Sequence, residues 1–149
     1  MKFFYFIALF LIISLKAFGL EEVSQKHFYY WKIIRVVDGD TLEIANEFLP
    51  KELKLFIRIR GIDTPEKSPK AKCIKENILA QKAFKFSKDF IETAQNNHKK
   101  IAFTNIKWDK FGGRILATVL VNGNDLSTQL LKNKLARAYN GEKKKSWCE

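Results

Sequence analysis

The sequence predicts an α+β fold, a small five-stranded β-barrel on which two or more helices pack. The prediction rests on the length of 149 residues, on five short runs rich in aromatic and β-branched residues, and on two helical segments. With 46% apolar residues, one compact domain is expected rather than a disordered tail or a multidomain chain. Short strands in a meander remove their exposed edges by curling, so an oligonucleotide-binding (OB) barrel or an SH3-like barrel fits the strand count.

The first twenty residues are predicted to be a targeting segment. Lys2 precedes an uncharged run from Phe3 to Leu15, and small residues stand two apart at Ala17 and Gly19. This pattern is typical of a secretory signal peptide (1–19) that is cleaved after Gly19, which leaves 20–149 as the mature domain. An uncleaved membrane anchor is the alternative, although the apolar run is shorter than the roughly 20 residues that span a bilayer. We therefore expect a secreted or periplasmic protein without stable membrane insertion.

Five runs have the alternation or the composition of strands and are bounded by turn residues. They are Tyr29–Val37, Thr41–Ala45, Leu53–Ile62, Ile101–Lys107 and Arg114–Val121. The first two are separated by Asp38-Gly39-Asp40, and the last two by the turn Asp109–Gly113. In the third run the apolar residues share one face, so Arg58 and Arg60 point away from it, toward solvent or a ligand.

Two segments have helical signals. Asn77–Ala94 places apolar residues at steps of three or four, which indicates an amphipathic helix that packs on the strands. After a turn at Asn122–Asn124, Asp125 can cap a second helix from Leu126 to about Lys134. Before the first helix, the prolines and lysines of Pro65–Lys72 predict a mobile basic loop.

The chain is strongly basic, with 27 lysines and arginines against 16 acidic residues and a formal charge of +11. Such an excess needs an anionic counterpart, and the usual ones are nucleic acid and an anionic membrane surface. Charge alone does not choose between them. Because guanidinium groups can grip phosphate oxygens through paired hydrogen bonds and lysines cannot, the few arginines are the informative cations.

Two carboxylates stand where a metal site could form. Asp40 follows the first turn, and Asp63 ends the third strand within Ile62-Asp63-Thr64-Pro65-Glu66. If the first and third strands share one barrel, both carboxylates can lie at the same end. Carboxylate and carbonyl oxygens suit Ca²⁺ or another hard divalent cation rather than zinc or copper. Each motif alone is also an ordinary turn sequence, and it is their joint occurrence that favours a metal site.

Arg58 and Arg114 are the candidate phosphate ligands. Arg58 lies five residues before Asp63, at the opposite strand parity, so strict alternation places the two side chains on different faces. A bulge or bend at Gly61 would bring them to the same side. Arg114 opens the strand that follows the double-glycine turn, which taken alone is an ordinary hairpin loop.

Cys73 and Cys148 both follow the predicted cleavage site. Export to an oxidising compartment favours a disulfide between them, which would tie the C-terminal end to the middle of the domain. Two free or intermolecular thiols are the alternative. With only His27 and His98 beside the cysteines, a zinc site is not expected.

In these motifs the sequence resembles the staphylococcal nuclease (thermonuclease) family. The similarity runs from about Trp31 to Tyr139, most of the predicted mature chain. It rests on Val37-Asp38-Gly39-Asp40-Thr41, on Arg58 with Ile62-Asp63-Thr64-Pro65-Glu66, and on Asp109-Lys110-Phe111-Gly112-Gly113-Arg114. The resemblance implies a five-stranded OB barrel with helices, and Ca²⁺-dependent cleavage of DNA and RNA phosphodiesters.

The resemblance also implies roles for individual acidic residues. Asp40, Asp63 and the carbonyl of Thr64 would ligate Ca²⁺, and Glu66 would be the general base or would orient the attacking water. This assignment is chemically coherent, because a phosphodiester is anionic and its hydrolysis requires neutralisation of the charge that builds on the phosphate oxygens. A cation and a nearby carboxylate supply these two functions.

By the same resemblance, Arg58 and Arg114 would hold and neutralise the scissile phosphate. Further contacts to nucleic acid would come from the basic loop, the hairpin and one aromatic residue, namely Lys70, Lys72, Lys110, Phe111 and Tyr139. The hairpin departs from the usual pattern of the family, since Gly112-Gly113 adds one residue before Arg114.

The sequence therefore predicts an exported Ca²⁺-dependent nuclease that acts as a monomer on DNA and RNA, preferably single-stranded or frayed. A catalytically inactive nucleic-acid-binding module of the same fold is the main alternative. A basic exported adhesin or DNA-uptake protein is a third, in which the carboxylates would be incidental. The presence of Arg58, Glu66 and Arg114 favours the enzyme.

Overall fold

The structure, a computed structural model, describes residues 26–45, 47, 50, 52–110 and 112–149. Its strands are β1 (Ile33–Asp38), β2 (Thr41–Ile44), β3 (Leu55–Ile59), β4 (Ile62–Asp63), β5 (Ile101–Trp108), β6 (Arg114–Val121), β7 (Asn124–Asp125) and β8 (Arg137–Ala138). Its helices are α1 (Ile74–Asn96) and α2 (Leu126–Lys132). The five predicted strand regions and both predicted helices are confirmed, and β7 and β8 are short additions.

The main sheet has the order β1-β2-β3-β6-β5, and β7 pairs with the end of β6. Neighbouring strands are antiparallel except for β3 and β6, which are parallel. The α+β class is confirmed, but the sheet is not closed into a barrel. Tyr29, which precedes β1, and Phe103 on β5 exchange two main-chain hydrogen bonds of 2.8 Å. This bridge is isolated, and β1 itself does not pair with β5, so the two edges of the sheet are not joined.

The predicted third strand is divided into β3 and β4 by a tight turn. Gly61 has a φ of +77°, a left-handed conformation that favours glycine. After this turn, β4 no longer continues the main sheet but pairs with β8, where Asp63 lies opposite Arg137. The change of direction brings Asp63 to the side on which Arg58 lies, as the bend expected at Gly61 requires.

The core lies between the main sheet and the two helices. β6 alternates strictly, with Ile115, Ala117, Val119 and Val121 buried. Helix α1 packs on β1 through small residues, and helix α2 covers β6 with apolar side chains. The buried apolar residues of the helices are Ala80, Ala83, Ile91, Ala94, Leu126 and Leu130.

The helix boundaries follow their caps. Helix α1 starts three residues before the predicted start because Cys73 is its N-cap, with Sγ 3.4 Å from the main-chain N–H of Glu76. Asp125 caps α2 as predicted and accepts the main-chain N–H of Ser127 at 2.8 Å. Helix α2 ends at Lys132, two residues before the predicted end.

Helix α1 also fixes the turn between β1 and β2. A Cβ atom at Gly39 would lie 2.8 Å from the Cβ of Ala83, so only glycine allows this close approach. The buried hydroxyl of Ser87 donates a 2.7 Å hydrogen bond to the carbonyl of Gly39. The turn that carries Asp40 is therefore held against a helix rather than exposed as a free loop.

Within the described residues, no helix is long and apolar enough to cross a membrane. The predicted signal peptide, residues 1–19, lies outside the part of the chain that the structure describes.

Candidate active site

A cleft of about 920 Å³ opens at the end of the sheet where the turn between β1 and β2, the turn between β3 and β4, and the β5–β6 hairpin meet. Residues that follow β8 complete its wall. Most of the predicted site residues line this cleft: Asp40, Arg58, Thr64, Glu66, Lys70, Lys110, Arg114 and Tyr139. The topology thus brings together residues that are widely separated in the sequence.

Arg58 joins the two candidate metal ligands. In the β2–β3 ladder Thr41 lies opposite Arg58, which places the guanidinium beside Asp40. Nη1 forms an ion pair with Oδ1 of Asp40, and Nη2 lies 3.4 Å from Oδ1 of Asp63. The Arg58 side chain is only 12% exposed and the two carboxylates are buried. Both carboxylates therefore contact the same guanidinium. Asp40 and Arg58 line the cleft, whereas Asp63 is not part of its lining.

Asp40 is further fixed by local donors. The main-chain N–H of Thr64 donates to Oδ2 of Asp40 at 3.0 Å, and the hydroxyl of Thr41 donates to Oδ1 at 3.2 Å. Burial raises the pKa of Asp40 to about 6, and the neighbouring Arg58 opposes this shift. Burial lowers the pKa of Arg58, but Asp40 and Asp63 outweigh it and the net shift is upward, so Arg58 stays charged.

Asp63 receives donors from the C-terminal residues, which sequence reasoning did not identify as part of the site. Nζ of Lys144 lies 2.7 Å from Oδ1 of Asp63. The indole Nε1–H of Trp147 donates to Oδ2 at 3.3 Å. The sequence signal that could have revealed both is their position just before Cys148, since a bond to Cys73 returns this end of the chain to the domain.

Glu66 lies at the mouth of the cleft, with its side chain 39% exposed. Nζ of Lys144 is 3.1 Å from its Oε1, so one ammonium group bridges Glu66 and Asp63. The main-chain N–H of Glu66 donates to the buried carboxylate of Glu76 at 3.3 Å, and that of Lys72 donates to the same carboxylate at 2.7 Å. Glu76, a residue that sequence reasoning missed, thus holds both ends of the basic loop to the start of α1.

The second candidate phosphate ligand, Arg114, also lines the cleft. Nε of Arg114 is 2.5 Å from Oδ2 of Asp109, and its side chain is 29% exposed. Gly113, with a φ of +74°, makes the turn that leads into β6. Arg114 lines the same cleft as Arg58. The second glycine before Arg114 remains the feature in which this hairpin differs from the pattern described above.

The predicted nucleic-acid contacts are distributed around the rim. Lys70, Lys110 and Tyr139 line the cleft. Lys72 does not line it, and its main-chain N–H donates to the carboxylate of Glu76. Phe111 lies outside the described residues. Trp108, which was not predicted to belong to the site, also lines the cleft, and 67% of its surface is exposed.

Cys73 and Cys148 are joined by a disulfide. Because both thiols are used in this bond, the adjacent carboxylate of Glu76 has no thiolate partners with which to form a metal site. Among the described residues, the donors that fit a hard divalent cation are those at the base of the cleft. The carboxylates of Asp40 and Asp63 both contact the guanidinium of Arg58, and carboxylate oxygens are the ligands that such a cation prefers.

The fold and the cleft define a class of protein: a small α+β domain whose basic cleft combines buried carboxylates with arginines, suited to an anionic ligand and a hard cation. A family model described as "Staphylococcal nuclease homologue" matches residues 56–147, more than half of the chain. The chain therefore belongs to the staphylococcal nuclease family, whose domain is an OB fold.

A thermonuclease from Staphylococcus hyicus is 30% identical to the chain over 124 residues. The alignment covers 83% of this chain and 65% of that relative, so the chain spans about two thirds of the relative's length.

Proposed function

We propose that the chain, as a mature domain of residues 20–149, is an exported Ca²⁺-dependent nuclease that hydrolyses phosphodiester bonds of DNA and RNA. The observation that carries the proposal is that Arg58 contacts both Asp40 and Asp63, in a cleft that Asp40, Arg58 and Glu66 line. The basic charge of the chain would attract the polyanionic substrate. The similarity to a thermonuclease supports the same reaction class.

The residues have distinct tasks in this reaction. Asp40, Asp63 and the carbonyl of Thr64 would hold Ca²⁺, which supplies positive charge beside the reacting phosphate. Glu66 orients a water molecule and accepts its proton as the oxygen attacks phosphorus in line with the leaving oxygen. Arg58, together with Arg114, binds the phosphate oxygens on which charge accumulates.

Export is supported by two independent features. The first is the signal-peptide pattern that precedes residue 20 in the sequence. The second is the disulfide between Cys73 and Cys148, since such bonds persist in oxidising compartments.

A nucleic-acid-binding module without activity is the second candidate, and one contact favours it. Lys144 pairs with Glu66 at 3.1 Å, so an ammonium group occupies the carboxylate that would have to contact the attacking water. Exposed Trp108 and half-buried Tyr139 line a basic cleft, and such aromatic residues stack on single strands whether or not hydrolysis follows.

Digestion of a fluorescent single-stranded DNA by the exported, purified chain separates the two candidates. We expect cleavage with Ca²⁺ and none with excess chelator. Glu66→Gln should lower kcat by about 10²–10⁴-fold, the usual contribution of a positioned acid–base group. The matched control is Glu92→Gln, an exposed glutamate on α1 that pairs with Lys88. Binding of the DNA without cleavage would reject the enzyme and support the binding module, and full activity of Glu66→Gln would reject the assigned base.

A further inference from the structure

The last ten residues form an irregular segment, the C-terminal strap (140–149), that returns across the base of the active site. It contains no helix or strand. Its far end is fastened to the start of α1 by the bond between Cys148 and Cys73. Nζ of Lys75 also donates to the main-chain carbonyl of Glu149. The strap is therefore anchored at a point 75 residues away in the sequence.

Trp147 is the buried residue of the strap. Its residue surface is 7% exposed, and its indole Nε1–H donates to Oδ2 of Asp63 at 3.3 Å. The guanidinium of Arg137 lies 3.9 Å from the ring centroid and donates to the carbonyl of Ser146 at 2.6 Å. Arg137 itself lies opposite Asp63 in the β4–β8 pair. These contacts hold the indole in one orientation against the carboxylate.

The chemistry of this contact differs from the others that Asp63 makes. Arg58 and Lys144 bring positive charge, which competes with a metal ion for the same carboxylate. The indole N–H is neutral, so it fixes the orientation of the carboxylate and leaves its negative charge available. Donors of this kind behind a metal ligand typically change metal affinity by 10–100-fold when they are removed.

We propose that Trp147 is a positioning residue for the metal ligand Asp63, and that it holds this position only while the Cys73–Cys148 bond is closed. The proposal rests on the proposed function, in which Asp63 binds Ca²⁺. Because Trp147 directly precedes Cys148, opening the bond frees the strap next to the indole. The affinity of the site for Ca²⁺ is then set by the redox state of the compartment.

The switching reaction is a thiol–disulfide exchange. A dithiol reductant gives two electrons and two protons to the Cys73–Cys148 bond and closes into its own disulfide, so two protein thiols form. In an oxidising compartment the bond persists and the site is complete. A molecule retained in a reducing compartment has a loose strap and a weak metal site.

The test is Ca²⁺ binding to the full chain, purified in its oxidised form and measured by titration calorimetry without nucleic acid. Trp147→Phe keeps an aromatic ring beside Arg137 but removes the N–H donor together with part of the bicyclic ring. Its Kd for Ca²⁺ should rise about tenfold. Trp31→Phe, a partly buried indole outside the cleft that stacks on Tyr29, should leave the Kd unchanged.

The dependence of Ca²⁺ binding on the disulfide is tested with the dithiol-reduced chain and with the double variant Cys73→Ser/Cys148→Ser. Both should show the same rise in Kd, and adding Trp147→Phe to the double variant should give no further rise, because the two changes act through one contact. Thermal unfolding of each protein verifies that it is folded at the temperature of the titration. The double variant and the reduced chain decide the question even if Trp147→Phe does not fold.

The outcomes separate this inference from the proposed function. Ca²⁺ binding and cleavage by the parent with an unchanged Kd in Trp147→Phe, or in the folded double variant, would overturn the inference alone. Ca²⁺ binding without cleavage would overturn the nuclease, and the shift in Kd would still decide the role of Trp147. A parent chain that binds no Ca²⁺ would overturn both.

Discussion

Lys144 is the residue whose removal should strengthen the metal site. Its ammonium group bridges Asp63 and Glu66 at 2.7 and 3.1 Å, where a metal ligand and a base are proposed. Burial lowers the pKa of Lys144, but the two carboxylates outweigh it and the net shift is upward, so the group is charged at neutral pH. Ca²⁺ must therefore displace one positive charge from Asp63 when it binds.

The magnitude follows from the exposure of the pair. Two unit charges about 4 Å apart attract by about 4 kcal/mol at an effective dielectric constant near 20. The Lys144 side chain is 44% exposed, so solvent and salt reduce this attraction to the range of surface ion pairs, about 0.2–1 kcal/mol each. For the pair with Asp63, which Ca²⁺ must displace, we take the upper end of this range, about 1 kcal/mol, which is roughly a fivefold change in Kd.

The variant is Lys144→Met, which keeps the length and the apolar stem of the side chain. The Ca²⁺ concentration for half-maximal cleavage of single-stranded DNA should fall about fivefold, and the calorimetric Kd should fall with it. The difference should shrink as salt is raised, because screening weakens exposed pairs. Lys143→Met, in the same lysine run, is the control for lost net charge. A Ca²⁺ requirement equal to that of the control, or higher, would refute the competition argument.

Two further substitutions test the frame around the site. Arg58→Lys should lower kcat/KM by about 10²–10³-fold, because an ammonium group cannot span both carboxylates and grip a phosphate; Arg35→Lys, on the exposed side of β1, should leave steady-state kinetics unchanged. Gly39→Ala should destabilise the domain by about 1–3 kcal/mol, because its Cβ would lie 2.8 Å from that of Ala83. Urea unfolding measures the loss, and Gly112→Ala, at a position with open space around it, should show almost none.

Local sequence patterns were sufficient to predict the main strands and helices and the part of the candidate site that is formed by residues close together in the sequence. Alternation in the third run assigns Arg58 to the polar face, and Gly61 is a residue at which a strand can turn. The structure combines the two, since a positive φ at Gly61 redirects the chain and brings Asp63 to the guanidinium of Arg58. These contacts span five residues, a distance over which backbone rules still apply.

Contacts between distant segments were not predictable in the same way. The parallel pairing of β3 with β6 and the open edge between β1 and β5 depend on how a whole sheet twists, which no single segment encodes. Glu76 holds the loop that carries Glu66 because helix α1 starts beside it. Lys144 and Trp147 reach the site because a disulfide directs the last residues back to the domain. Without that bond, the sequence pattern of a run of lysines predicts only a solvated segment.

The charges at the base of the cleft lead to a last prediction. Asp63 forms ion pairs with Arg58 and Lys144, and Arg58 also pairs with Asp40. When no phosphate is bound, both carboxylates are therefore already paired with cations. An anionic phosphate that enters the cleft attracts the same cations and leaves the carboxylates free for Ca²⁺. Nucleic acid and Ca²⁺ should therefore bind with positive coupling, and linkage requires each to strengthen the other by an equal factor.

The Glu66→Gln variant makes this coupling measurable because it binds without rapid cleavage. A short single-stranded DNA at saturation should lower the Kd for Ca²⁺ at least about fivefold, the lower end of typical coupling between sites. Saturating Ca²⁺ should lower the Kd for the DNA by the same factor. The coupling should become smaller when Lys144→Met is added, because one of the cations that phosphate withdraws is then already gone. Equal Kd values with and without DNA would mean that the ion pairs at Asp63 do not govern access of the metal.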